Sequence, residues 1–110
     1  MNSFDFVRAQ GIDAFDTSIR VTNKLANLFE SVTITCHDMD RCMDIPKARI
    51  YPMRVDKACI MYKGEAISLR DFYKDMFDNL LHPREPVIYS NKRPGILVPL
   101  SCVEIVGITL

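Results

Sequence analysis

Apolar positions along the chain fall into stretches with two different periods. From Ala14 to Glu30, Phe15, Ile19, Leu25, Ala26 and Phe29 recur at steps of three and four, while Arg20, Lys24 and Asn27 fall between them. That spacing predicts an amphipathic helix, with Asp13 as its N-cap and an Asp16–Arg20 pair one turn apart on its exposed face. Upstream, Phe4, Phe6 and Val7 predict a short docked segment ending near Gly11.

Val32-Thr33-Ile34-Thr35-Cys36 alternates strictly, the signature of a half-buried strand. Between Asp38 and Ile45, Met39, Cys42 and Met43 stand at helical steps, so a single helical turn closed by Pro46 is expected. Two β-prone stretches follow, Ala48–Val55 and Lys57–Tyr62, the second running into a turn at Lys63-Gly64-Glu65. Pro52 confines the first to an edge or a bulge, because it cannot donate to a ladder.

A second helix is predicted from Leu69 to about Leu81. Ser68 is its N-cap, Asp71 sits three residues on, and Leu69, Phe72, Tyr73, Met76 and Leu80 form its core stripe. His82-Pro83 is its expected stop. The last third reads as strands: Pro86–Ser90, a turn over 91–95, Ile96–Val98 and Cys102–Thr109. The order is helix, strand, short helix, two strands, helix, three strands. It predicts an α+β fold with two main helices packed on one face of a largely antiparallel sheet of about five strands.

Composition narrows the class. At 110 residues, 48% hydrophobic and 25% charged, the chain suits a single domain over residues 1–110 that folds without staples. No run approaches the roughly 20 apolar residues that cross a bilayer, which predicts no membrane partner. The N-terminus has an acid, Asp5, where a secretory signal needs positive charge, so a cytoplasmic location with reduced cysteines is expected. Residues 1–46 carry four basic and seven acidic side chains and residues 47–110 carry ten and seven, leaving a net charge of zero. The positive field of a dedicated nucleic-acid binder is therefore missing.

No motif fixes a reaction. Glycine-rich phosphate loops are absent. Cys36, His37 and Cys42 with one aspartate come nearest to a zinc site, yet the Cys-x2-Cys spacing is missing; packing as small hydrophobes is the plainer role for the two cysteines. A calcium loop beginning at Asp38 fails because Met43 stands where the turn needs glycine. Cys36 and His37 leave opposite faces of a strand and cannot form a catalytic pair there. His82 is expected to cap a helix end, and a pairing with Cys59 or Cys102 would depend on the tertiary fold. Neither a metal nor a cofactor is predicted, and the reading leans away from an enzyme.

Two features point to binding. Alternation in Lys47-Ala48-Arg49-Ile50-Tyr51 would expose Lys47, Arg49 and Tyr51 together, and Lys92 and Arg93 could extend that basic, aromatic stripe toward a protein or a nucleic acid. Such a stripe also protects an edge strand from aggregation. From Ile96 to Leu110 the only charged residue is Glu104, and a strand ending in Val106, Ile108 and Leu110 needs a sheet interior or another subunit to cover it. The expected function is a non-enzymatic protein-binding domain that self-associates: a small adaptor, inhibitor or assembly subunit, of a size common among phage and mobile-element accessory proteins. The alternative is a small nucleic-acid-binding protein using the basic strand face.

Overall fold

A computed structural model describes residues 2–30, 32–38, 41–45 and 48–108; at 32, 33, 36–38, 41–44, 93, 94 and 108 the description is of the backbone. It is an α+β fold, with three helices and eight antiparallel strands among the described residues. In chain order these are α1 (Ser3–Ala9), α2 (Ile19–Glu30), β1 (Val32–Asp38), β2 (Arg41–Ile45), β3 (Ala48–Ile50), β4 (Cys59–Tyr62) and β5 (Glu65–Ser68). After them come α3 (Leu69–Phe77), β6 (Val87–Ser90), β7 (Arg93–Pro99), a 3₁₀ turn at Leu100–Cys102, and β8 (Val103–Ile108).

The expected docked segment near the N-terminus is the helix α1. Asn2 Oδ1 caps it by accepting from Phe4 N at 2.8 Å, and Gly11, at φ +74°, turns the chain out of it. The next helix starts later than its periodicity suggests. Asp13 Oδ1 accepts from Phe15 N at 3.0 Å and Asp16 Oδ1 from Ser18 N at 2.9 Å, so both aspartates close local turns. Such side-chain bonds compete with helix, and Ser18 becomes the cap instead, its hydroxyl accepting from Val21 N at 3.3 Å. Leu25 and Phe29 of the expected stripe are buried, while Ile19 is exposed.

Where the expected helical turn over Asp38–Ile45 is described, at Asp38 and at Arg41–Ile45, it is β-structure, and Met39 and Asp40 lie outside the described residues. β2 pairs with β1 in a register that sets Ile34 opposite Ile45 and Cys36 opposite Met43. Three apolar residues at helical steps are too short a run to outweigh a ladder of backbone hydrogen bonds. β4 and β5 form a tight hairpin through Lys63 and Gly64, both with positive φ, which extends the predicted turn into a strand not foreseen.

α3 begins as predicted, with Ser68 Oγ accepting from Asp71 N at 3.1 Å. It stops four residues early. Asp78 adopts a left-handed conformation, φ 50° and ψ 36°, and ends the helix before His82-Pro83 is reached. Leu69 and Tyr73 are buried, whereas Met76 and Leu80 are exposed.

The strands do not form a single sheet of about five. They divide into β2-β1-β8, β3-β6-β7 and the β4-β5 hairpin. Short strands, register shifts at Thr33/Ile34 and Tyr89/Ser90, and proline at 52 and 99 limit how far any ladder extends. The helices are also parted by the middle sheet. Val87 and Ile88 leave β6 on opposite faces. Ile88 joins the core built on Phe6, Val7, Leu25 and Phe29 of α1 and α2, while Val87 joins the one built on Leu69 and Tyr73 of α3. Cys102 packs against both.

Candidate functional site

The basic stripe comes through only in part. Arg49 is exposed on β3, but its Nη1 is 2.9 Å from Glu30 Oε1 at the end of α2, an ion pair that neutralises it. Tyr51 is half-buried, its ring edge-on to Tyr89 at 5.9 Å and its N–H donating to the Val87 carbonyl at 2.8 Å. Lys92 is exposed; Lys47 and the side chain of Arg93 lie outside the described residues.

β8 is the terminal strand of its sheet rather than an interior one. Val103 and Ile105 turn inward while Val106 is 59% exposed, the alternation of a half-covered strand. The backbone of Ile108 pairs with Val32; its side chain, and all of Leu110, lie outside the described residues.

The side chains of Cys36, His37 and Cys42 are likewise outside the described residues. Among those described, no three His, Cys, Asp or Glu side chains gather as metal ligands would. His82 does not cap a helix. It stacks on Phe15 at 4.1 Å, and its Nδ1 accepts from Arg84 N at 3.1 Å. Cys59 is an exposed thiol whose Sγ contacts the Lys57 carbonyl at 3.5 Å. These contacts give His82 and Cys59 separate surroundings.

What the sequence pattern did not reveal is a groove of about 640 Å³ between β4 and β7, with a floor from α3 and one wall from Tyr51. Ile60, Met61, Phe72, Ile96 and Leu97 line it, and among the described residues no charged side chain does. Met61 is 71% exposed and Ile96 42%. Phe72 is held in place by edge-to-face contacts with Tyr62 at 5.2 Å, Tyr73 at 5.8 Å and Phe77 at 5.9 Å, so the aromatic floor is braced before anything enters.

Two buried charged residues also escaped sequence reasoning. Arg54 Nη1 donates to the Ala14 carbonyl at 2.7 Å and the Arg84 carbonyl at 3.3 Å, and Nη2 to the Asp16 carbonyl at 2.8 Å and Thr22 Oγ1 at 3.2 Å. Burial lowers its pKa, with Asp16 opposing. Glu85 is buried against the 3₁₀ turn, and desolvation pushes its carboxyl up to about 7 against the bond from Ser101. Neither is distinguishable in sequence from a surface charge.

No protein-family model matches the chain, and no curated protein compared with it does either. Among the described residues no helix is long and apolar enough to cross a membrane.

Proposed function

We propose that the protein is a non-enzymatic binding domain that takes an extended, apolar segment of a partner protein into the groove between β4 and β7. The observation that carries this is the partly exposed lining of that groove, uncharged among the described residues, with Met61 and Ile96 at its lip. A solvent-facing apolar cleft of this size gains most by burying another apolar surface. β7 is a terminal strand and β4 belongs to a two-stranded hairpin. Terminal strands offer backbone donors and acceptors to one more strand, which favours an extended occupant over a helical one.

The test is titration of isotope-labelled protein with a soluble peptide of alternating valine and threonine, followed by NMR. Shifts gathered at residues 59–61 and 95–97, and lost in Met61→Lys, support the reading. Their absence at millimolar peptide rejects it.

Self-association belongs to the same proposal and rests on β8, a terminal strand with Val106 exposed, and on the apolar residues Ile108 and Leu110 that follow in the sequence. Sedimentation of the full chain tests it: a mass that falls to that of a monomer in Val106→Lys supports the role, and a monomeric wild type at high concentration removes it. The nucleic-acid alternative has less beneath it, because Glu30 offsets the charge of Arg49.

A further inference from the structure

The segment 82–86 joins three parts of the chain. Glu85 donates its N–H to the His82 carbonyl at 3.0 Å, and its own carbonyl accepts from Val55 N at 3.1 Å. The Pro86 carbonyl accepts from Leu100 N at 3.0 Å. The Glu85 side chain then crosses to the 3₁₀ turn, where Oε1 accepts from Ser101 N at 3.1 Å. The residue is 2% exposed, and its Oε2, shut away from solvent, has no hydrogen-bond partner among the described residues. A carboxylate in that position lacks both a counter-ion and half of its hydrogen bonds.

Among the described residues, none of the charged and titratable side chains on the surrounding elements is hydrogen-bonded to its carboxyl oxygens. From the 51–58 loop come Arg54, Asp56 and Lys57. The guanidinium of Arg54 is engaged by Ala14, Asp16, Thr22 and Arg84. On the 82–86 segment itself, His82 faces Phe15, and Arg84 is exposed. From α3, Arg70 donates through Nε to the Leu81 carbonyl at 2.8 Å. Cys102 lies on the 3₁₀ turn, and α1, packed on that turn, contributes Asp5 and Arg8 on exposed positions. None of these forms an ion pair with Glu85 among the described residues.

We propose that Glu85 is a proton-operated latch: as a neutral acid it holds the 3₁₀ turn against the 82–86 segment, and on giving its proton to water it swings outward and lets the turn go. Burial, which pushes this carboxyl up to about 7, places the change where modest shifts in pH operate it. The turn carries Leu100 in one core and Cys102 against both, and it leads directly into β8. Release therefore loosens the junction between the two cores and the start of β8.

The experiment is hydrogen exchange on the full chain, expressed as protection factors, with the Glu85 carboxyl carbon followed by NMR in the same samples. Protection of the Leu100 and Ser101 amides is expected to fall about tenfold or more between about pH 5.5 and pH 8.5, while amides of β6 hold steady. Glu85→Gln should show no such fall. A carboxyl that titrates near the ordinary glutamate range in the wild type overturns the latch, as does unchanged protection across the range, or an equal fall in the variant. The wild-type titration decides the matter even if the variant does not fold.

Discussion

The Ser3 hydroxyl donates to the Leu100 carbonyl at 2.6 Å, joining the first turn of α1 to the 3₁₀ turn across 97 positions of sequence. Both residues are fully buried. A helix of seven residues is too short to persist by itself, so α1 depends on this bond and on the burial of Phe6 and Val7. The Leu100 carbonyl also accepts from Val103 N and is not orphaned when the hydroxyl is removed. Ser3→Ala is therefore expected to cost about 1 kcal/mol, seen as a lower urea midpoint with an unchanged slope.

Arg54 ties the 51–58 loop to residues 14–22 and to Arg84 through four acceptors. Replacing it with leucine leaves those oxygens without their donor, and a loss of about 3 kcal/mol is expected. Arg54→Lys should recover only part of this, because one ammonium cannot span a planar fork. Thermal unfolding of the two variants checks it; a lysine variant as stable as the wild type would contradict the fork.

Glu85 gives stability a pH dependence of definite sign. Its folded pKa, about 7, lies above the ordinary 4.5. Below 4.5 both folded and unfolded chains hold the proton and burial carries no ionic penalty. As pH rises toward 7 the unfolded chain ionises first, so this contribution drains away by about 3 kcal/mol and then levels off. Urea midpoints across that range should fall in the wild type and stay flatter in Glu85→Gln.

The β4–β5 turn has φ 52° at Lys63 and 81° at Gly64. Glycine tolerates that region and asparagine does so better than lysine. Lys63→Asn is expected to stabilise the protein by about 0.5 kcal/mol, and Gly64→Ala to destabilise it by about 1 kcal/mol. Chemical denaturation of both variants measures the pair of opposite signs.

Legibility in the sequence followed the range of the forces involved. The start of α3 was visible because Ser68 and Asp71 make their cap within three residues. The start of α2 was not: Asp13 and Asp16 satisfy a helix cap and a local turn equally well in pattern, and here Arg54, distant in sequence, holds the turn through the carbonyls of Ala14 and Asp16. The basic stripe was legible as alternation at Ala48 and Arg49, but its partner Glu30 was not.

By its own pattern the chain determined an α+β class, the two amphipathic helices and the strand character of β1, since each arises from neighbours a few residues apart. The half-buried alternation expected of β1 does not hold where its side chains are described, because Ile34 and Thr35 are both buried. Tertiary structure alone decided that three small sheets replace one, that α3 lies across the middle sheet from α1 and α2, and that residues 51, 59–61, 69, 72, 73 and 95–97 meet around one groove. It also decided which charges go inside: whether Glu85 meets water or the 3₁₀ turn depends on how distant segments pack, and periodicity records nothing of that distance.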